Sequence, residues 1–308
     1  MTRRALGGPL ADSVAACPGL NRADPDRSTL LLQWRPGMST WNAMTPEGKD
    51  TTLRVVRKEA EQFFALVDSD EVWEAPTGAG HWQVRDIVGH IADTTEAYFV
   101  AFDAARSNSQ VDPPYGLPGM AERVDRQVQA FRSETRAVMV ERLSDDFDKM
   151  MELFVGLTDE DWTQFMVPHF YMGPLPAFFF PAFQLMDYGV HSWDVRQGTG
   201  RAHGLSGEAA DLLVPFMFVL WQYTTKPVSP ADACEIGIRI TSGPNAGDTR
   251  VSVGEKGLSY EPGSIDDITT LEFDPGSFVL TTFGRSNSGT IRGERAIADR
   301  YLNLFFRI

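Results

Sequence analysis

The sequence predicts an antiparallel helical bundle followed by a small α+β domain. Two observations point to this. Between about residue 49 and residue 225, apolar residues recur at helical spacing in long segments separated by loops. After Pro230 the texture changes to short alternating segments divided by Gly and Asn. Four long helices joined by loops pack most naturally as an antiparallel four-helix bundle, so the fold class is α plus α+β.

The elements follow in order. Residues 1–48 are rich in Gly, Pro and Ser and show no sustained period; disorder is the expectation, with Met38 and Met44 as alternative starts. Residues 49–228 form the bundle. Leu53, Val56, Ala60, Phe63, Phe64 and Val67 mark the first helix. Val84, Ile87, Val88, Ile91, Tyr98 and Phe102 mark the second. A third is expected as one long helix from about Gly119 to Val155, with Val124, Val128, Phe131 and Val138 on one side. The fourth begins near Pro181, a favourable first-turn residue, and ends near Gly198 and Gly200. A loop precedes it. One more helix runs from Ser206 through the apolar stretch Leu212 to Trp221. Residues 229–308 form the small domain, with strands expected at Cys234–Ile240, Arg250–Val253, Leu258–Tyr260 and Leu271–Phe273. Helices are expected there at Phe278–Phe283 and Ala296–Phe305.

Composition excludes several classes. Of the 308 residues, 43% are hydrophobic and 23% charged, as in ordinary globular proteins. No stretch approaches the roughly 20 uninterrupted apolar residues of a membrane span. The start of the chain does not read as a signal peptide. The formal net charge of −14 disfavours nucleic acid, which demands clustered Lys and Arg. Two distant cysteines, Cys17 and Cys234, make no disulfide framework or thiolate cluster, which fits a cytoplasmic protein. Any metal must therefore use His and carboxylate.

The chemistry-bearing pattern is Asp187-Tyr-Gly-Val-His191. Residues four apart share a helix face, and these two lie among Phe178, Phe179, Phe180, Phe183, Leu185, Met186 and Val190. A carboxylate in such company is costly unless paired or bound to metal. His90, on the edge of the second helix's apolar stripe, completes a two-His, one-carboxylate set if the second and fourth helices are neighbours. That set leaves coordination positions open, as catalytic sites do, and its donors suit Zn best among the divalent ions, with Fe, Ni or Co as others. The competing readings are a core histidine at His90 and a plain hydrogen-bonded Asp187–His191 pair. His81 reads as a surface residue, His169 as a loop residue, and His203 receives no role.

Trp82-x-Val84-x-Asp86-x3-His90 and Asp187-x3-His191-x-Trp193-Asp194 together resemble the mycothiol-dependent maleylpyruvate isomerase family, a branch of the DinB-like four-helix metalloproteins. Gly173-Pro174-Leu175-Pro176 and Gly198-x-Gly200 extend the likeness over roughly residues 50–225. The tail, with Thr281-Thr-Phe-Gly-Arg285 and Gly289-Thr-Ile-Arg-Gly293, resembles a small sterol-carrier-like domain. The resemblance implies metal ligands at His90, Asp187 and His191, with Asp187 where the family's usual residue is Glu. It further implies mycothiol or another low-molecular-weight thiol as cofactor.

The implied activity is thiolate addition to a small electrophile, followed by elimination (isomerase) or retention of the adduct (transferase). A dicarboxylate substrate calls for a cationic partner, and Arg285, Arg292 and Arg196 are the candidates. Asp86 and Asp194 are candidates for orienting the ligands, though Asp86 also suits the helix dipole. The alternative is a hydrophobic-ligand or lipid-binding protein with the bundle as scaffold; a metal-dependent sensor without turnover ranks third. Oligomeric state, the electrophile and the physiological metal stay open.

Overall fold

The computed structural model describes residues 39–201, 204–286 and 289–304, which belong to one compact unit. The disorder expected of residues 1–38 therefore lies outside the described residues, as do His203 and Phe305. Residues 39–48, expected to be disordered, are instead packed. Asn42 and Ala43 are buried, the Trp162 indole donates to the Ala43 carbonyl at 3.0 Å, and Thr45 caps a 3₁₀ turn at Pro46–Gly48. The tryptophan supplies the apolar surface and the indole donor that local composition did not reveal.

Four long helices pack against one another: α1 (Lys49–Val67), α2 (Val84–Ser107), α4 (Arg136–Val155) and α6 (Phe179–Gly198). The most extensive helix pairing is α1 on α6, where Phe63 meets Tyr188 edge-on at 5.6 Å. On the other side α2 meets α4 and α6 through Phe102, whose ring stands 6.2 Å from Phe154 and 5.0 Å from Phe180. Aromatic pairs at these separations add to simple area burial. Helix α6 is buried almost all round, which explains its weak amphipathicity.

The expected long third helix is two helices. α3 (Met120–Ala130) ends in a 3₁₀ turn at Phe131–Ser133, and α4 starts afresh after Thr135, whose side chain accepts from the Val138 amide at 3.4 Å. The Ser133-Glu134-Thr135 segment is the break: Thr is a preferred N-cap. Val138, expected on the apolar side, is exposed as a result. A short helix α5 (Asp159–Gln164) precedes a two-stranded hairpin, β1 (Met166–His169) with β2 (Gly173–Pro176), where a loop was expected. Prolines 168, 174 and 176 hide this hairpin in the sequence, yet in a two-stranded ribbon each strand has a free edge where a missing N–H costs little.

Helix α7 (Gly207–Thr224) links the two textures. It touches α1, α6 and the elements beyond it. Beyond it a five-stranded sheet has the order β5-β4-β3-β6-β7: β3 (Cys234–Ile240), β4 (Gly247–Gly254), β5 (Gly257–Pro262), β6 (Thr270–Phe273) and β7 (Thr290–Arg292). Only β3 and β6 run parallel, with Ile238 opposite Leu271. Helices α8 (Pro275–Thr282) and α9 (Arg295–Leu302) complete this part. Its core is built on α7: Trp221 meets Phe278 at 4.9 Å and Tyr301 at 5.6 Å, and Phe218 meets Phe278 at 5.0 Å. Among the described residues no helix is long and apolar enough to cross a membrane.

Candidate functional site

His90 comes from the second turn of α2, and Asp187 and His191 come from one face of α6. The packing of α2 on α6 brings all three together. One ligand atom from each lies within 4.8 Å of the others, close enough for small side-chain adjustments to bring all three to about 2 Å from one shared ion. His90 Nε2 stands 3.7 Å from Asp187 Oδ1. That exceeds a hydrogen bond, and Asp187 makes no hydrogen bond among the described residues although it is only 7% exposed. The two imidazoles meet edge-on with centroids 5.2 Å apart, and the Trp82 ring lies 5.3 Å from His90.

Each histidine has its Nδ1 occupied from behind. His191 Nδ1 faces Asp194 Oδ2 at 2.9 Å, and His90 Nδ1 lies 3.5 Å from the Thr94 hydroxyl. Nε2 of each ring is thereby left for a ligand at the site, the arrangement by which carboxylates and hydroxyls fix the tautomer of metal-binding histidines. Asp194 is fully buried and receives two further bonds from Arg285, Nε to Oδ1 at 2.8 Å and Nη2 to Oδ2 at 3.1 Å. Burial pushes the Asp194 carboxyl up, but His191 and Arg285 outweigh it and hold the group below the usual carboxylate range. Burial holds His191 below the ordinary histidine range, with Asp194 opposing it. A neutral imidazole is the form that ligates metal. The donor set and the unbonded buried carboxylate therefore fit a divalent ion.

The three residues lie in the wall of a cavity of about 510 Å³. Its apolar side includes Phe183, Met186, Val190, Leu220 and Phe283; its polar side includes Asp93, Thr94, Arg123 and Tyr171. The hairpin contributes His169, whose ring sits 6.4 Å from Tyr98 and 5.3 Å from Phe183. Burial drives its pKa down to about 4, so it is a neutral wall residue near pH 7. It was read from the sequence as a loop histidine; the signal that places it is the pairing of β1 with β2, which short proline-rich segments conceal.

The arginines separate. Arg285 reaches the cavity and holds Asp194. Arg196 is absent from the cavity wall and turns to Gln62 of α1, with Nη2 3.4 Å from Oε1. Arg292 is on β7, largely exposed and paired with Glu272 at 2.9 Å. Both lie on surfaces that the helical and strand periods point away from the cavity. Asp86 serves α2 instead of the histidines: its Oδ2 accepts from the Gln83 amide as part of a capping box, and Arg132 grips both oxygens at 2.8 Å. His81 is exposed at the cavity rim and pairs with Asp125 at 2.7 Å.

Residues 53–196 match the family model described as the mycothiol maleylpyruvate isomerase N-terminal domain. Among solved structures, the fold is similar to the crystal structure of the mycothiol-dependent maleylpyruvate isomerase, with a TM-score of 0.54 at 11% identity over 80% of this chain and 95% of that chain. It is equally similar to a histidine-to-alanine variant of that enzyme, with a TM-score of 0.53 at 10% identity and the same coverage. No curated protein matches the sequence. The structural likeness carries the fold, and the family model carries the sequence resemblance of residues 53–196 to the mycothiol maleylpyruvate isomerase N-terminal domain.

Proposed function

We propose that the chain is a metal-dependent, thiol-dependent enzyme of the maleylpyruvate isomerase type, or a related mycothiol S-transferase. The observation that carries this reading is the buried Asp187 carboxylate, unbonded and faced by His90 and His191, at the wall of a cavity large enough for a small ligand. His90, Asp187 and His191 would hold the ion, with Zn preferred by the donor set. A divalent ion there supplies Lewis acidity, which makes a bound thiol ionise near neutral pH. The protein does the rest. Asp194 fixes the His191 ring, Arg285 fixes Asp194, and the wall of Phe183, Met186 and Val190 keeps water from the reacting groups.

The proposed reaction is thiolate addition to an electrophilic double bond, rotation about the resulting single bond, and elimination, so that the thiol is regenerated. We read the helices as a DinB-like bundle, the sheet with α8 and α9 as a sterol-carrier-like domain, and the cytoplasm as the site of action. We do not favour the lipid-carrier alternative, because the cavity gathers four histidines and a buried carboxylate, groups a lipid chain does not need.

The test is elemental analysis of the purified chain beside His191→Ala, followed by a mycothiol-dependent isomerisation assay on maleylpyruvate. About one metal per chain, lost in a variant that keeps its helical circular dichroism, and turnover that requires both metal and thiol are expected. Stoichiometric metal retained by His191→Ala would sink the site, and a metal-loaded chain inert with every thiol–electrophile pair would sink the activity.

A further inference from the structure

Arg123 is a half-buried guanidinium in the wall of the same cavity. The other arginine of that wall, Arg285, is already engaged by Asp194, and His81 at the rim is paired with Asp125. Arg123 has no carboxylate within ion-pair distance among the described residues. Its guanidinium carbon lies instead 4.2 Å from the centre of the Tyr115 ring, and it stands beside the Tyr171 hydroxyl. The two tyrosine rings are 6.2 Å apart, and the loop carrying Tyr115 is tied to the hairpin by the Tyr115 amide on the Phe170 carbonyl at 2.7 Å. The arginine is thus framed on a fixed platform.

Its place relative to the reaction site is set by α2. Asp93 follows His90 by three residues, on the same helix face, and lies near enough to both His90 and Arg123 to feel each charge. Arg123 and His90 are thus both neighbours of Asp93 in the wall of one cavity. Asp93 itself is held by Gln127 at 3.4 Å, and burial raises its pKa, which weakens it as a competitor for the guanidinium. A planar fork of donors in a partly dry cavity, with no carboxylate of the described residues in ion-pair distance, is suited to bidentate capture of a carboxylate.

We propose that Arg123 receives a carboxylate group of the cavity's ligand and so makes this a site for anionic electrophiles. The proposal rests on the reading of the cavity as the reaction site, and it replaces Arg196 and Arg292 as the recognition arginine. Neither of those reaches the cavity.

Maleate and its neutral dimethyl ester are the probes, titrated calorimetrically into the full chain with and without Zn. Metal content is measured separately, so a failed metal site shows itself apart from a failed anion site. Expected is maleate binding in the absence of metal, preferred over the ester and weakened by salt. Arg123→Gln should weaken it at least about tenfold, Arg123→Lys should lie between, and both should keep the parent's metal stoichiometry and melting temperature. Maleate binding by Arg123→Gln as tight as the parent's would overturn the proposal. So would a parent chain that binds maleate no better than the ester.

Discussion

Arg285 and Asp194 are 91 residues apart in sequence, yet the arginine donates to both carboxylate oxygens, at 2.8 and 3.1 Å. The same carboxylate fixes the His191 ring, so a residue just beyond α8 sets the orientation of an imidazole on α6. The C-terminal elements are thereby part of the site, and are more than an appendage to it.

Arg285→Ala should leave a fully buried carboxylate with the neutral His191 imidazole still bonded to it but no cation of the described residues beside it. Breaking one side of a buried pair costs roughly 3 kcal/mol, and loss of a group that orients a metal ligand weakens metal binding by roughly tenfold to a hundredfold. Competition against a chelator should show that loss, with Arg285→Lys retaining part of the affinity. Unchanged affinity in Arg285→Ala would remove the arginine from the site.

Asp86→Ala should act on stability and spare the metal. It deletes the capping acceptor for the Gln83 amide and strands Arg132, whose guanidinium tethers the turn between α3 and α4 to the start of α2. A loss of roughly 2–4 kcal/mol in urea unfolding is expected, with metal content unaltered. Loss of metal without loss of stability would return Asp86 to the ligand-orienting role.

Gly198→Ala should be far worse than its chemistry suggests. A methyl there would meet the Pro76 carbonyl oxygen at 1.9 Å and Thr77 Cα at 2.4 Å, so the loop leading to Trp82 must move. A cost of about 1–3 kcal/mol follows, readable as a lower melting temperature. Gly207→Ala, which meets nothing within 4 Å at the start of α7, is the control and should be neutral or slightly stabilising.

His169 gives the protein an acid-sensitive margin. Burial lowers its pKa from 6.5 to about 4, so the unfolded chain binds this proton more readily than the folded one. Stability is then complete above about pH 6.5 and falls as the pH drops towards 4, by roughly 3 kcal/mol for a shift of this size. In His169→Gln this part of the slope should vanish when both proteins are unfolded in chelator across that range. Parallel slopes would mean that the ring is solvated.

The polar pair on α6 was legible because a single helix carries both members. Asp187 and His191 are four residues apart in an otherwise apolar segment, and period alone puts them on one face. His90 was legible only on the condition that α2 and α6 are neighbours, which the packing of Phe102 on Phe180 supplies. The split between α3 and α4 was present in the sequence as a Thr N-cap at Thr135, but the apolar spacing of Val124, Val128 and Phe131 runs up to it and masked it. His169 and Arg123 were not legible. One depends on a hairpin written in prolines, the other on a helix whose polar residues look like any solvated surface.

The sequence by itself determined the helices, the later change to strands and the candidate metal-ligand residue types, because period, capping and side-chain chemistry are local properties. Only the tertiary structure decided which of three arginines reaches the site, what lies behind each histidine and where the cavity opens. Those depend on contacts between residues tens of positions apart, such as Arg285 with Asp194 and Asp86 with Arg132, and no local pattern encodes which distant partner a charged side chain meets.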